Sequence, residues 1–290
     1  MSTDIGEFLQ ARRARVSPDD RGLPVSDRRR VPGLRREELA LLAGVSVDYY
    51  VRLEQGRAEA VSDSVLGAVA RVLGLDETER AHLELLARPP RAESVLPRQE
   101  VREGVRRLVD SMTDTPAFVA GRWQEILIAN PLGRAILPQR VQDGGNSARF
   151  VFLDADSLDY YADWHDVAAD TASQLRWETG LHPGDPVLAR LIGELSIASP
   201  VFAELWARHD VQAKTHGTKR IHHPFVGALT LDYETLAMPS DPDQLLVTYT
   251  PRDSATRAAL EMLASLAGSD ADVESDVAAR AESADVDRTA

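Results

Sequence analysis

The sequence has no cysteine, almost no lysine and no long apolar run. Without cysteine, the chain forms no disulfide, no thiolate nucleophile and no cysteine-based zinc or iron–sulfur site. It contains no run of about 18 apolar residues and no basic-then-apolar leader, so we predict neither a membrane span nor a targeting segment. These absences favour a cytoplasmic protein.

Lysine supplies only Lys214 and Lys219 among 33 basic residues, so the positive charge is nearly all arginine. The formal net charge is −13, but it is unevenly spread. Residues 8–57 hold eleven arginines against seven acids, whereas residues 268–290 hold seven acids against two arginines. A basic block in an acidic protein marks the place where a polyanion such as nucleic acid can bind.

The length of 290 residues favours two domains. Residues 1–87 have the pattern of five short helices, which predicts an all-α domain. Residues 88–99 combine two adjacent prolines with polar residues and predict a linker. Residues 100–267 predict an α+β domain, and the small acidic residues of 268–290 predict a disordered tail.

The second domain opens with two predicted strands joined at Gly121-Arg122, "PAFVAGRW" and "EILIANPL", and "ARFVFLD" has the composition of a third strand. Helices are expected over most of residues 160–207, with a break near "GLHPGDP". Three further strands and a closing helix follow, namely "TKRIHHP", "VGALTLDYETLAM", "QLLVTYTP" and "SATRAALEMLASLA".

The stretch "GLRREELALLAGVSVDYYVRLEQGR" predicts a helix-turn-helix. Such a unit needs a small residue where the helices cross, which Ala40 supplies, and a residue that tolerates positive φ at the turn, which is Gly44. Val45, Tyr50 and Leu53 supply apolar anchors on the second helix. The start of that helix is then free to enter a major groove.

Over about residues 5–87 the chain resembles the lambda-repressor-like transcription regulators, and "EELALLAGVS" and "LEQG" carry the likeness. The resemblance implies that Arg36 contacts phosphate and that Val47, Asp48 and Arg52 read bases. It also implies that Glu54 pairs with an arginine of the first helix, for which we expect Arg12.

The side chains suit these roles. Arg52 can bind a guanine through two hydrogen bonds, Asp48 can accept from a cytosine amine or hold Arg52, and Val47 can contact a thymine methyl group. Tyr49 can donate to a phosphate. The predicted DNA contacts are Arg28, Arg29, Arg30, Arg35, Arg36, Ser46, Val47, Asp48, Tyr49, Arg52 and Arg57.

The segment "SPDDRGLPVSDRRRVPGL" is longer than the usual connection in that family and, with "RREELA", resembles the actinobacterial MmyB-like regulators. We hypothesise that Arg28, Arg29 and Arg30 follow the phosphate backbone or enter a flanking minor groove. The alternative is a solvated charge run that bridges to nearby aspartates. One helix-turn-helix reads a half-site, so we expect a homodimer on double-stranded DNA.

Residues 100–267 resemble the ligand-binding domain of the MmyB-like regulators, notably in "GELSIASPVFAELWARHDV" and "HHPFVGALTLDYETLAMPSDPDQLLVTYTP". The resemblance implies a PAS-like fold with an antiparallel sheet, and a bound fatty acid or other small apolar molecule. Aromatic side chains can line such a cavity, or they can simply fill a core. The predicted ligand contacts are Phe118, Trp123, Trp164, Trp177, Phe202, Trp206, His222 and Phe225.

A ligand carboxylate would need a cation, and we expect one of Lys219, Arg220 and His222 to face inward. His222 and His223 should point to opposite faces of a regular strand. The histidine spacing fits no metal site, and we find no GxSxG, Walker or GxGxxG motif, so we predict no metal, no cofactor beyond the apolar ligand and no enzyme activity.

The favoured function is therefore a sequence-specific transcription regulator with a sensing domain and no membrane partner. In one alternative, residues 100–267 form a ligand-free dimerisation or protein-interaction module. In another, the chain is an enzyme that carries a helix-turn-helix.

Overall fold

The structure is a computed structural model that describes residues 4–23, 31, 33–58, 61–89, 99–142, 144–213 and 215–266. Contacts divide the chain into two compact units. The helical unit comprises Met1–Leu96 and Ala169–Ala213, and the sheet unit comprises Pro97–Ala168 and Lys214–Ala290. This division is discontinuous along the chain, whereas the division predicted from the sequence is continuous.

The N-terminal part of the helical unit contains the five predicted helices. Side chains cap the first turns of the third and fifth of these helices, because Ser46 accepts from Tyr49 N at 3.1 Å and Asp76 and Glu79 form a reciprocal capping box. The helices are α1 (Asp4–Arg15), α2 (Arg36–Ala43), α3 (Val47–Glu54), α4 (Asp63–Leu73) and α5 (Glu77–Ala87).

One hydrophobic core joins these helices. Each contributes large side chains that are almost fully buried, such as Phe8, Leu39, Tyr50, Leu66 and Leu83. Burial of a large apolar side chain stabilises the fold by about 1.5–3 kcal/mol. The prediction that Tyr50 belongs to the core is confirmed, since its side chain is wholly buried.

Residues distant in sequence complete that core. Val211 belongs to the same cluster, and the half-buried Trp177 packs against it. The expected helices and their break near residue 183 are confirmed, and Asp185 caps the second helix by accepting from Val187 N at 2.8 Å. These helices are α10 (Trp164–Leu181), α11 (Pro186–Ala198) and α12 (Pro200–Ala207).

The sheet unit contains a five-stranded sheet in the order β2-β1-β5-β4-β3, with antiparallel neighbours throughout. This confirms the α+β class with an antiparallel sheet. The hairpin predicted at Gly121-Arg122 is present, and β4 turns into β5 between Met238 and Asp241. The strands are β1 (Ala117–Ala120), β2 (Ile126–Ala129), β3 (His216–His223), β4 (Gly227–Met238) and β5 (Asp241–Pro251).

The predicted strand "ARFVFLD" is wrong, because Ser147–Leu153 form a helix. The Asn146 side chain accepts from Arg149 N at 3.0 Å and starts that helix. A short apolar run does not distinguish a buried strand from a buried helix turn by its period, and the capping asparagine decides the outcome here.

Short helices flank the sheet. On one face, Val105 and Val109 pack against Val119 and Leu246. The closing helix predicted for "SATRAALEMLASLA" is confirmed at residues 254–266. The remaining helices are α6 (Glu103–Asp110), α7 (Pro131–Ile136), α8 (Ser147–Leu153), α9 (Asp156–Tyr160) and α13 (254–266).

Candidate functional site

The turn between α2 and α3 has the backbone geometry of a helix-turn-helix. Gly44 has φ +68°, a conformation that a residue with a Cβ atom rarely adopts, and Val45 N donates to Ala40 O at 3.0 Å. Tyr50 and Leu53 are buried against the other helices. With that side of α3 fixed in the core, the opposite side faces solvent.

The exposed side of α3 carries the residues predicted to read bases. Val47 is 43% exposed, and Asp48 and Arg52 are also exposed. Tyr49 is half-buried. The Ser46 hydroxyl caps α3 by accepting a hydrogen bond from Tyr49 N. This surface offers one guanidinium, one carboxylate and one exposed methyl pair within about a turn and a half of helix.

Exposed arginines flank this surface. Arg35 and Arg36 stand at the start of α2, and Arg57 lies three residues after the end of α3. Arg35 N donates to the Glu38 carboxylate at 2.7 Å, so Glu38 caps the helix and the Arg35 side chain remains exposed. The predicted contacts Arg28, Arg29 and Arg30 lie outside the described residues.

The expected pairing of Glu54 with Arg12 is wrong. Glu54 is 6% exposed and pairs with Arg36 at 2.8 Å and with Arg13 at 3.6 Å. The hydrogen bond to Glu54 raises the pKa of Arg36. Arg12 instead pairs with Glu79 at 2.8 Å. The Arg36 side chain remains 47% exposed, so N–H groups that are not directed at Glu54 can donate to a further acceptor.

The Arg13–Glu54 contact belongs to a junction that the sequence reasoning missed. Arg13 Nη1 donates to Leu34 O at 2.6 Å, and Leu34 N donates to Arg13 O at 3.1 Å. A Cβ atom on Gly33 would lie 2.1 Å from Arg13 O, so only glycine permits this approach. Gly33 in "RRRVPGL" was the available signal for a close backbone contact.

A second junction ties α1 to the residues that follow α12. Arg12 Nη2 donates to His209 O at 2.9 Å, and Arg15 pairs with Asp210 at 2.6 Å. Nearby, His82 is 2% exposed, and Phe8 packs edge-on against its ring. Burial, followed by the charges of Arg176 and Arg12, lowers the pKa of His82 to about 3. His82 is therefore neutral at physiological pH.

The predicted ligand contacts do not form one cluster in a single unit. In the sheet unit, Phe118 is buried, and Trp123 and Trp164 are half-buried. His222 is exposed and its ring lies 3.2 Å from Asp159 O. Phe225 is 81% exposed on the turn between β3 and β4, so it does not line an enclosed cavity.

The other three predicted ligand contacts, Trp177, Phe202 and Trp206, belong to the helical unit. Phe202 and Trp206 stack with ring centroids 5.5 Å apart. The guanidinium of Arg176 lies 3.8 Å from the Trp206 ring centre and donates to Trp206 O at 2.6 Å. Burial lowers the pKa of Arg176 to about 10. Phe202 and Trp206 thus pack against each other and against Arg176 within the helical unit.

The sequence reasoning did not select the tyrosines of the sheet unit. Tyr161, Tyr233 and Tyr249 are each 6–8% exposed, and burial raises the pKa of Tyr161 and Tyr249. The Lys219 ammonium lies 5.5 Å from the Tyr161 ring centre and 5.8 Å from that of Tyr233. In the alternation of β3, Lys219 shares its face with the buried Ile221.

The other basic candidates lie on the opposite face of β3. Arg220 pairs with Asp163, and His222 is exposed. The prediction that His222 and His223 face opposite ways is confirmed, since His223 is 7% exposed. Of the three candidates Lys219, Arg220 and His222, Lys219 is thus the one whose strand position faces inward.

Within the described ranges, no group of three or more His, Asp or Glu side chains is placed to hold a metal ion. No single described helix has the length and apolar character of a membrane span. The pair α11 and α12, bent by 118°, passes that test only when the two helices are counted together, by length and composition.

Comparisons with known proteins give two family matches. Residues 4–83 match the model of a helix-turn-helix domain. Residues 101–263, more than half of the chain, match the model of the MmyB-like transcription regulator ligand binding domain. No curated protein matches the chain.

Proposed function

We propose how this chain, which belongs to the MmyB-like transcription regulators, carries out DNA-binding regulation. It binds an inverted-repeat operator as a homodimer, and a small apolar or fatty-acid-like molecule in the sheet unit modulates that binding. The observation that carries the DNA-binding part is the exposed side of α3, with Val47, Asp48 and Arg52 on a helix whose other side is buried. We refer to α3 as the recognition helix.

Arg52 is the residue to which we assign most of the sequence discrimination. Its exposed guanidinium can donate to O6 and N7 of a guanine, and a bidentate contact of this kind discriminates by about 1–3 kcal/mol. Asp48, one turn before Arg52, can accept from a cytosine amine or orient Arg52. Val47 supplies an apolar contact for a thymine methyl group.

Phosphate contacts would fix the position of the recognition helix on the duplex. Arg36 suits this role because Glu54 holds one side of its guanidinium while about half of the side chain remains exposed. Arg35 and Arg57 are exposed at neighbouring helix ends. These contacts add affinity without sequence information and weaken as salt rises.

One recognition helix covers a half-site, which is why we propose a homodimer. Dimers of helix-turn-helix proteins place two such helices about 34 Å apart, one turn of DNA. A defined duplex tests this directly: sedimentation should show two chains on an inverted repeat and much weaker binding to a single half-site. One chain bound with equal affinity to both duplexes would refute the dimer.

For the ligand, we propose an anionic amphipathic molecule whose charged end meets Lys219. The support is the inward position of this lysine on β3 and the buried tyrosines beside it. Ligand binding changes operator affinity tenfold if it favours one state of the protein by about 1.4 kcal/mol. We also propose a cytoplasmic location and assign no catalytic activity to the chain.

The ligand proposal has a simple test. Mass spectrometry of the denatured purified protein should reveal a co-purified fatty acid or similar lipid, and Lys219→Met should reduce its amount, whereas exposed Arg257→Met on α13 should not. A protein that carries no small molecule and binds no fatty acid in solution would favour the ligand-free dimerisation module.

A further inference from the structure

We propose that the helical unit holds a second small-molecule site, a cavity beside the C-terminal end of the recognition helix that takes a compact apolar molecule with a primary amine at one end. The cavity has a volume of about 300 Å³. This is the lower end of the range for small-molecule sites. All of its lining residues belong to the helical unit, so it is separate from the ligand site proposed for the sheet unit.

The walls of the cavity are mainly apolar and come from four parts of the helical unit. Ile5 lies on α1, Leu53 on the recognition helix, and Leu85 and Leu86 on α5. Pro183, just after α10, closes another side. An apolar lining favours a ligand with a hydrocarbon body, because binding removes the apolar surfaces of both the ligand and the walls from water. A strongly hydrated ion would find no compensation along most of this surface.

One charged residue, Asp4, is among those that line the cavity. Asp4 is exposed, and its charge acts on Arg176 by raising the pKa of that guanidinium, without a salt bridge to Arg176 among the described residues. Its carboxylate can accept a charge-assisted hydrogen bond from an ammonium group, while it repels a carboxylate. The combination of one rim carboxylate with apolar walls selects a compact amine over a neutral molecule or an acid of the same shape.

The position of the cavity connects it to DNA binding. Leu53 lies in the last turn of the recognition helix, Gly56 and Ala58 follow that helix, and Arg57 between these two is a predicted phosphate contact. An occupant therefore touches the segment that holds Arg57. Arg57 itself is exposed and lies outside the lining, so it can contact phosphate while the cavity is occupied.

The part of the wall that α10 supplies is firmly packed. Thr179 and Gly180 of α10 line the cavity, and the Thr179 hydroxyl donates to Arg176 O at 2.7 Å. A Cβ atom on Gly180 would lie 2.7 Å from Nδ1 of the buried His82. This close approach packs α10 tightly against α5 and fixes the backbone of this wall.

Nuclear magnetic resonance of the full-length protein with labelled methyl groups tests the proposal. Three probes of one shape are titrated at pH 7: cyclohexylamine, cyclohexanol and cyclohexanecarboxylate. We expect cyclohexylamine to shift the methyl signals of Ile5, Leu53 and Leu86, and to bind about threefold to fivefold more tightly than cyclohexanol, as suits a partly exposed ion pair. Cyclohexanecarboxylate should bind most weakly.

Two variants identify the site. Asp4→Asn should remove the preference for the amine over the alcohol but keep both bound. Ala87→Leu, which fills the lining, should abolish binding of both, whereas Ala81→Leu on the same helix and outside the lining should not. The proposal is overturned if no probe shifts these methyls, if the acid binds best, or if the shifts are confined to sheet-unit methyls such as Leu229.

Discussion

Arg36 and Glu54 form an ion pair of 2.8 Å that joins the first residue of α2 to the last residue of the recognition helix. Glu54 is almost fully buried, and Arg13 of α1 approaches it from another side at 3.6 Å. The carboxylate thus links three helices of the DNA-binding unit. Because Arg36 is half-exposed, the same guanidinium can hold the recognition helix and contact a phosphate.

Glu54→Gln should lower the free energy of unfolding by about 2–3 kcal/mol, because it leaves two arginines near a neutral group at a buried position. This expected loss is smaller than the loss for a fully buried ion pair, because water partly solvates the Arg36 side chain. Urea unfolding measures it. Glu84→Gln removes a surface pair with Arg80 and should cost less than about 0.5 kcal/mol. Equal effects of the two variants would contradict the assigned role of Glu54.

Stability should fall with acidification through His82. Its folded pKa is lowered to about 3 by burial, while an unfolded histidine titrates near 6.5, so the unfolded state binds the extra proton between these values. The stability that depends on a neutral His82 is fully present above pH 6.5 and is lost towards pH 3. Over this range the free energy of unfolding falls by up to about 1.4 kcal/mol per pH unit. The free energy of unfolding, measured with urea at pH 7, 6 and 5, should depend less on pH for His82→Gln than for wild type. An equal pH dependence of the two proteins would contradict this prediction.

Trp177→Ala should destabilise the N-terminal helices, although residue 177 is far from them in sequence. The side chain packs against the core that contains Phe8 and Leu83, and we expect a loss of about 2–3 kcal/mol for this half-buried tryptophan. Hydrogen exchange should accelerate in α1 and α5. Trp123→Ala, in the sheet unit, should leave exchange in those helices unchanged; if both variants act alike, the core assignment fails.

The arginine run before α2 should contribute to the salt dependence of DNA binding. Replacement of Arg28, Arg29 and Arg30 by alanine should lower the slope of log affinity against log salt by about two to three units, as loss of as many phosphate contacts requires. Fluorescence anisotropy at several salt concentrations measures the slope. An unchanged slope would show that these side chains are a solvated charge run.

The helix-turn-helix was predictable because its signals are local. Ser46, Gly44 and the apolar anchors each satisfy a requirement of the turn itself, and the structure uses each in that way. The partner of Glu54 was not predictable on the same basis. Arg12 and Arg13 are adjacent in α1 and differ in direction by about 100°, so the choice depends on how α1 packs.

Long-range packing also explains the other differences. Nothing local in "ETGLHPGD" or "RHDV" indicates that residues 169–213 join the N-terminal helices, because the contacts of Trp177 and Asp210 depend on the tertiary fold. For the same reason, the aromatic residues that were predicted to contact the ligand lie in two different units. The inward position of Tyr233 could have been predicted by alternation, since Leu231 lies two residues before it on β4 and both are buried.

The central claim is that the recognition helix reads DNA through Arg52, and selection from random duplex DNA tests it most directly. Wild type, Arg52→Ala and Arg71→Ala, an exposed arginine on α4, are selected in parallel at low salt. We predict that wild type and Arg71→Ala enrich the same short inverted repeat, and that Arg52→Ala loses discrimination at one guanine in each half-site. Failure of the wild type to enrich any sequence, or an identical motif for Arg52→Ala, would contradict the claim.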